Sequence, residues 1–314
     1  MTKSKRRVSR KNTQIIYSKT SNSTRGVVYS EVVERYTETK YFVTSDLHID
    51  SVYCDRDYLV NDLKDAVSKN AKIVILGDLF DAIQGRFDPR RNMDELRPEY
   101  RREDYYDFVI ADVARILEPF AKNIMLIADG NHELSVLKYA GTSMIDRLIE
   151  RFSMMGYSIH KGGYGGWIRF MSEVNGVPQG SIKLKYFHGA GGEAPVTRGA
   201  IQTNRQAVYL PDADIVINGH SHNQLYIPIA RERLSNKGNL YFDIQHHVRT
   251  PGYKQAYADG STGWEVTRGG VPKPLGGVYI TLYNNSIRLE QVTHAPKVIS
   301  PVVNIYQGIV FPQE

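Results

Sequence analysis

Five short apolar runs recur along the first two thirds of the chain, and each is followed closely by Asp, Asn or His. The runs span residues 41–43, 73–76, 124–127, 184–187 and 215–217. Short apolar runs of this kind are typical of buried strands in parallel sheets. Open α/β sheets place their sites at the carboxyl ends of such strands. The pattern therefore predicts one converging cluster of oxygen and nitrogen ligands, which is the composition of a metal site.

Helical spacing separates the first three runs, and strands dominate the later part of the chain. The predicted helices span 58–69, 104–121, 134–152 and 199–210. Strand–helix–strand alternation predicts crossover units with helices on the faces of a sheet. Further strands are predicted at 15–17, 27–33 as an edge strand, 167–171, 182–187, 225–229, 240–244 and 277–282. The fold class is therefore predicted as α/β with α+β character.

The domain organisation is predicted from the distribution of charged residues and from the stretches that lack a helix or strand pattern. Residues 1–26 are predicted to form a basic, flexible arm, 27–296 a single domain, and 297–314 a tail. Two insertions, at about 84–102 and 245–276, are rich in basic residues and follow strands near the predicted site. Long loops of this kind are often functional, so the insertions either line a substrate groove or decorate the surface.

Composition narrows the class of protein without identifying it. Hydrophobic residues make up 41% of the 314 residues and charged residues 24%, an ordinary globular balance. No apolar stretch reaches the length of a membrane span, and the N-terminus lacks the apolar core of a secretory signal. Cys54 is the single cysteine, so the chain has no internal disulfide and no thiolate-rich zinc site. These features favour a cytoplasmic protein, and the net charge of +6 is compatible with a nucleic-acid partner.

The polar blocks have the order D-x-H, G-D-x-x-D, G-N-H-E, H and G-H-x-H. They lie at residues 46–48, 77–81, 130–133, 188 and 219–222. All five together, in this order, resemble the calcineurin-like metallophosphoesterases over about residues 40–225. The resemblance implies a four-layer fold in which a two-sheet β-sandwich is flanked by helices.

The resemblance also implies a site for two divalent metal ions. Asp46, His48 and His222 would hold one ion, Asn131, His188 and His220 the other, and Asp78 would bridge them. Carboxylate, imidazole and amide ligands suit Mn, Fe or Zn, and the ligand set does not choose among them. We expect Mn, with Fe, Zn, Mg and Ni as alternatives.

The reaction implied by the resemblance is in-line attack of a metal-bound hydroxide on phosphorus, without a covalent enzyme intermediate. His132 would protonate the leaving oxygen or stabilise the phosphoryl charge. Asp81 would orient His132, and Glu133 is interpreted as structural. His132 and Asp81 are therefore the predicted catalytic residues.

The substrate is less well defined than the chemistry. The block Gly-Asp-Leu-Phe-Asp resembles the nuclease and lipid-precursor branches, and Ala82-Ile83 in place of the Arg-Gly of protein phosphatases argue against a serine/threonine protein phosphatase. Together with the basic balance of the chain, this resemblance favours a phosphodiesterase that acts on nucleic acid or nucleotides. The segments Arg249–Lys254 and Pro272–Gly277 resemble phage- or prophage-encoded members, for which the compartment would be the host cytoplasm. The alternatives are a small-molecule phosphomonoesterase or pyrophosphatase and, less favoured, a non-catalytic binding protein. Membrane association is not expected, and the oligomeric state stays open.

Overall fold

The computed structural model describes the chain in nine stretches: residues 15–17, 27–34, 36–82, 88, 91–93, 95–192, 196–257, 264–284 and 286–297. The α-helices are α1 (Arg56–Ser68), α2 (Tyr105–Leu117), α3 (Asn131–Ala140), α4 (Met144–Met154), α5 (Ala200–Tyr209) and α6 (Trp264–Thr267). The first strands are β1 (Ile15–Tyr17), β2 (Val27–Glu34), β3 (Thr39–Thr44), β4 (Lys72–Leu76), β5 (Ile124–Ala128), β6 (His160–Lys161) and β7 (Gly165–Val174). The later strands are β8 (Val177–Phe187), β9 (Ile215–Asn218), β10 (Leu225–Leu234), β11 (Leu240–Arg249), β12 (Leu275–Tyr283) and β13 (Ser286–His294). Short 3₁₀ turns lie at Pro98–Tyr100 and Glu118–Phe120.

The strands form two mixed sheets, which confirms the predicted sandwich. One sheet has six strands in the order β13-β12-β3-β4-β5-β6, and β3 to β6 run parallel. The other has seven strands in the order β1-β2-β7-β8-β9-β11-β10, with β8, β9 and β11 parallel. The five apolar runs are therefore divided between the sheets, since β3, β4 and β5 lie in one and β8 and β9 in the other.

Apolar side chains fill the space between the two sheets. Tyr41, Val74, Phe170 and Ile217 belong to one buried cluster there. A second cluster joins α1, α2 and α4 to the other face of the six-stranded sheet. Each Leu or Ile side chain that is fully buried in this way contributes about 1.5–3 kcal/mol to stability. The two clusters fix the positions of the strand ends that carry the polar blocks.

Helix α1 shows how the local sequence determines an element of this packing. The carboxylate of Asp55 accepts a hydrogen bond of 3.0 Å from Tyr58 N and caps the first turn. Leu59, Leu63 and Ala66 follow at spacings of four and three residues and are all fully buried. This spacing places one apolar face of α1 on the sheet.

Two predicted elements differ from the structure. The helix predicted over 134–152 is instead the pair α3 and α4, because Gly141 has a φ of 68° and ends α3 in a left-handed turn. The Ser143 hydroxyl then accepts a hydrogen bond from Asp146 N and starts α4. The prediction that 27–33 is an edge strand is also wrong, since β2 lies between β1 and β7.

Described parts of both insertions belong to strands or bridges. Residues 245–249 continue strand β11, and residues 275–276 begin β12. Within the first insertion Leu96 bridges to Ser51. Residues 83–87, 89–90, 94, 193–195 and 258–263 lie outside the described residues, as do 1–14, 18–26 and 298–314 of the arm and tail. The domain boundaries stay a prediction.

None of the helices in the described part of the chain combines the length and apolar character that crossing a membrane requires.

Candidate metal centre

The polar blocks meet where the carboxyl ends of β3, β4, β8 and β9 approach one another at one edge of the sandwich. The two sheets are joined directly there, because His220 N donates a hydrogen bond of 2.8 Å to Asp46 Oδ2. Five of the predicted ligands have a left-handed backbone, namely Asp46 (φ 54°), His48 (φ 45°), Asp78 (φ 48°), His220 (φ 70°) and His222 (φ 55°). Such a conformation costs about 1–3 kcal/mol per residue and is concentrated at functional sites.

Asp46, His48 and His222 form the first group of candidate ligands. His48 Nε2 lies 3.3 Å from His222 Nε2, and His222 Nε2 lies 3.4 Å from Asp46 Oδ1. Asp46 Oδ1 is buried and has no hydrogen-bond partner in the described part of the structure. A buried carboxylate oxygen without a donor is costly unless a cation is near it. The chemistry of this group therefore fits a divalent cation.

Asp78, His188, His220 and Asn131 form the second group. His188 Nε2 is 3.2 Å from Asp78 Oδ2 and 3.1 Å from Asn131 Oδ1. His220 Nδ1 is 2.8 Å from the same Asn131 oxygen. His188 Nδ1 donates a hydrogen bond of 2.8 Å to Leu76 O, so the ring presents Nε2 to the group. This is the usual way in which a backbone carbonyl fixes the tautomer of a metal-binding histidine.

Asp78 connects the two groups. Its Oδ2 lies 3.2 Å from His188 Nε2 on one side and 3.9 Å from His48 Nε2 on the other. The structure thus brings all seven predicted ligands into one cluster, in which Asp46, His48, Asp78 and His188 are almost completely buried. The arrangement is consistent with a dinuclear centre.

The pKa values of the histidines reflect this crowding. Burial lowers the pKa of His48 to about 4, although the Asp81 carboxylate acts in the opposite direction. Burial also disfavours the charged form of His188, but Asp78 and Asp46 outweigh it and raise its pKa to about 10. At neutral pH His48 is therefore neutral, and His188 carries a proton that a bound dication would replace.

His132 lies beside the cluster and is anchored through its backbone and ring. His132 N donates a hydrogen bond of 2.9 Å to Asp78 Oδ1, and Nδ1 donates to the carbonyl oxygen of Asp81. The ring presents Nε2 towards the cluster, 3.9 Å from Asp78 Oδ2. The side chain is 15% exposed, which leaves a path for substrate.

The carboxylate of Asp81 has a different neighbour from the one predicted. It lies 2.8 Å from His48 Nδ1 but 3.7 Å from His132 Nδ1, so only its backbone oxygen bonds to His132. Because the carboxylate faces Nδ1 of His48, the other ring nitrogen, Nε2, can act as the ligand atom that points into the cluster. Asp81 is thus placed to orient His48 through its side chain and His132 through its carbonyl.

A buried charge network surrounds Asp81. Lys254 Nζ donates a hydrogen bond of 2.9 Å to Asp81 Oδ1 and lies 2.8 Å from Glu95 Oε2. The Lys254 side chain is only 10% exposed. Burial raises the pKa of Asp81, but Lys254 and His48 overcome that effect and hold it well below its usual range. Asp50 completes the network by accepting hydrogen bonds from Asp81 N (2.5 Å) and Ala82 N (2.9 Å).

Substitution of Lys254 by Met is expected to lower the free energy of unfolding by about 3–5 kcal/mol, because Asp81 and Glu95 would lose their buried counter-ion. Urea unfolding of the metal-free protein measures this. Lys64→Met on the exposed side of α1 is the control and should change stability by less than about 0.5 kcal/mol. Equal stability of the two variants would show that Lys254 does not compensate a buried charge.

Glu133 ties two ligand loops together, as its structural interpretation predicts. Its carboxylate accepts hydrogen bonds from Asp78 N (3.1 Å), Phe80 N (3.0 Å) and Gly130 N (2.8 Å). Gly130 must lack a side chain, because a Cβ there would lie 2.1 Å from Asp78 Oδ1. The G-N-H-E block therefore needs glycine at its first position, because it packs closely against the loop that carries Asp78.

Several described basic residues of the insertions contact other protein groups, and the choice between a substrate groove and surface decoration stays open. Lys254 is paired as described, and Lys273 pairs with Glu265 at 2.6 Å. Arg97 donates to the carbonyls of Ser51 and Cys54, and Arg102 pairs with Asp104. Arg86 and Arg90 lie outside the described residues. In the described part, the basic surface around these loops is thus smaller than the count of arginines and lysines suggests.

His246 and His247 also lie away from the cluster. They pair with Ile215 and Val216 at the start of β9, whereas the cluster adjoins its end. The His246 ring stacks on Tyr226, and His247 Nε2 lies 2.9 Å from Gln245 Oε1. Both are structural.

An open cavity of about 300 Å³ adjoins the cluster on the side of His220. Its walls come from residues 189–192 after His188, from α5 and from Arg249. The sequence pattern does not reveal this cavity, since its walls are distant in sequence. Asp50 and Lys254 were missed for the same reason: each is polar without a motif, and only the tertiary packing shows its contacts.

Comparisons with known proteins give the following matches. A family model described as calcineurin-like phosphoesterase matches residues 39–224. A search of curated proteins gave no match. Among solved structures, the chain is similar to a predicted phosphoesterase from Streptococcus pneumoniae, with 14% identity, coverage of 82% of this chain and 90% of that chain, and a TM-score of 0.33. It is also similar to GAP50, the anchor in the inner membrane complex of Plasmodium, with 14% identity, coverage of 83% and 87%, and a TM-score of 0.38. Vps29 complexed with zinc from Entamoeba histolytica matches with 11% identity, coverage of 81% and 99%, and a TM-score of 0.33.

Proposed function

Because the chain belongs to the calcineurin-like phosphoesterase family, we propose that it is a metal-dependent phosphodiesterase that acts on nucleotides or nucleic acid. The observation that carries the hydrolase assignment is the buried cluster itself. Its groups of Asp and His offer ligand atoms within 4.8 Å of one another. In the proposed site Asp46, His48 and His222 would hold one divalent ion.

Asn131, His188 and His220 would hold the second ion in the proposed site, and Asp78 lies where it would serve both ions. Two such ions would activate a water and stabilise the attacking and leaving oxygens of an in-line displacement. The donor set is compatible with Mn, which we propose as the physiological metal, and with Fe, Zn, Mg or Ni. The protein contributes rigid ligand loops, held by Glu133 and by the left-handed residues.

His132 is proposed as the general acid. Its Nδ1–H is held by Asp81 O, so the ring, when doubly protonated, can deliver its Nε2 proton to the leaving oxygen as the ester bond breaks, and it is left with the Nδ1–H. Asp81 acts as a positioning residue for both His132 and His48. This role differs from the predicted carboxylate–His132 pair, because the closer ring to its carboxylate is His48.

The proposed preference for diesters rests on space beside the cluster. A phosphodiester carries two organic substituents, and the cavity next to His220 offers room for one of them. The inward pairing of Lys254 and Lys273 favours the second candidate, a small-molecule phosphomonoesterase or pyrophosphatase, because it removes two cations from the predicted groove.

With Mn²⁺ present, the protein is expected to hydrolyse bis-p-nitrophenyl phosphate with a higher kcat/KM than p-nitrophenyl phosphate. A single-stranded oligodeoxynucleotide should bind at low salt, with log affinity falling against log salt by about 0.7 per neutralised phosphate. Steady-state kinetics and a titration between about 50 and 200 mM salt measure both quantities. Faster monoester hydrolysis together with no DNA binding at low salt would replace this proposal with the second candidate.

A further inference from the structure

The cavity beside His220 has the position and size of a binding site for part of a substrate. It lies between helix α5 and residues 189–192, and its edge includes His220 and Ser221. Its volume of about 300 Å³ is at the lower end of the range for small-molecule sites. A Cβ on Gly191 or Gly192 would meet no atom of the described residues within 4 Å.

The charge of the cavity is suited to an anion. Arg205 and Arg249 are among its described lining residues, and none of these is acidic. Arg205 is exposed and forms no ion pair with another described residue, so its guanidinium is available to a ligand. Arg249 is only 6% exposed, and its guanidinium packs where a Cβ on Gly199 would lie. The Arg249 side chain is thus held in the cavity wall, whereas the exposed side chain of Arg205 can change its conformation.

Helix α5 presents an aromatic side chain next to the exposed arginine. Ile201, Arg205 and Tyr209 are spaced four residues apart, so they share one face of the helix, and all three line the cavity. Ile201 is 50% exposed and Tyr209 is 63% exposed. Exposed aromatic rings beside arginines are the usual means by which proteins stack the bases of single strands and hold their phosphates.

We propose that this cavity binds the nucleotide next to the scissile phosphodiester, with Arg205 on its further phosphate and Tyr209 against its base. The inference rests on the proposed function and assigns specificity within it. Inorganic phosphate would bind at the metal cluster without using the cavity. A nucleotide that carries a second phosphate would bind at the metal cluster and in the cavity at the same time.

Isothermal titration of the Mn²⁺-loaded protein with thymidine 3′,5′-bisphosphate and with inorganic phosphate tests the proposal. Arg205→Gln should weaken bisphosphate binding about tenfold or more, since a hydrogen bond to a charged group contributes about 1.5–3 kcal/mol. Tyr209→Ala should weaken it about fivefold to a hundredfold, the range for one stacked base, whereas Tyr209→Phe should retain the affinity. Phosphate binding should not change in any of these variants.

Arg151→Gln is the matched control, because Arg151 is an exposed arginine on α4 that lines a different groove. The proposal is overturned if Arg205→Gln and Tyr209→Ala bind the bisphosphate like the wild type, or if they weaken bisphosphate and phosphate equally. Absence of turnover on every ester would instead count against the proposed function. The titration would still decide whether the cavity binds a nucleotide.

Discussion

Removal of divalent metal is expected to abolish phosphoester hydrolysis, and addition of Mn²⁺ is expected to restore it. The physical reason is that one oxygen of each almost completely buried carboxylate, Asp46 Oδ1 and Asp78 Oδ2, faces histidine nitrogens at 3.2–3.9 Å, where a divalent cation would compensate the negative charge. Elemental analysis should find two ions per chain in the active protein. Activity on bis-p-nitrophenyl phosphate before and after chelation gives the readout.

The same metals are expected to stabilise the fold. Ligands that bind only the native state stabilise it by about 2.7 kcal/mol at a free concentration of a hundred times Kd. Thermal unfolding with and without Mn²⁺ should show this as a higher Tm. Ca²⁺ at the same concentration is a useful control, since the imidazole-rich site suits transition metals better than a hard cation. Turnover that persists after verified removal of metal would contradict the whole assignment of the cluster.

Replacement of His132 by Gln is expected to lower kcat by about 10²–10⁴-fold, the range for loss of a general acid. Its Nδ1 is held by the Asp81 carbonyl, and its Nε2 faces the cluster from a partly open position. The loss should be smaller for p-nitrophenyl esters than for alkyl esters, because p-nitrophenolate leaves without protonation. Steady-state kinetics on the two ester types measures the difference.

Metal content separates a catalytic role of His132 from a structural one. The His132→Gln variant should keep two ions per chain, since neither metal group requires its ring in the proposed site. His246→Gln is the matched control, because His246 stacks on Tyr226 away from the cluster and should leave kcat unchanged. An empty metal site in His132→Gln would mean that His132 is a ligand, as its proximity to His48 and Asp78 also permits.

The contacts of Asp81 show that a motif can identify a site residue without predicting which side chain it contacts. The G-D-x-x-D block identifies Asp81 as a residue of the site, but its ring partner depends on how three separate segments pack. Lys254, which is 173 residues away in sequence, neutralises Asp81. The ring that faces the Asp81 carboxylate is that of His48, with Nδ1 at 2.8 Å from Oδ1, whereas the prediction placed His132 there. Local sequence cannot specify such a choice, because His48 and His132 both belong to motif blocks and both are distant from Asp81 in sequence.

The sequence by itself predicted most of the elements and the family. Apolar periodicity predicted α1, α2 and α5 and the strands that precede the polar blocks, because burial of one face or of whole strands leaves a direct trace in the pattern. The order of the five blocks predicted the family, which the match over residues 39–224 confirms. The break between α3 and α4 was missed, since Gly141 within an apolar repeat does not by itself reveal a left-handed turn.

Only the tertiary structure decided how the strands and charges are arranged. The five runs are divided between two sheets, and an apolar strand does not encode the sheet to which it belongs. Lys254 and Lys273 of the second insertion form ion pairs with buried carboxylates, and a lysine in sequence gives no sign of the carboxylate that it will meet. The cavity of about 300 Å³ likewise exists only because α5, the loop after His188 and Arg249 converge. These properties depend on contacts between distant segments, which local pattern and composition do not record.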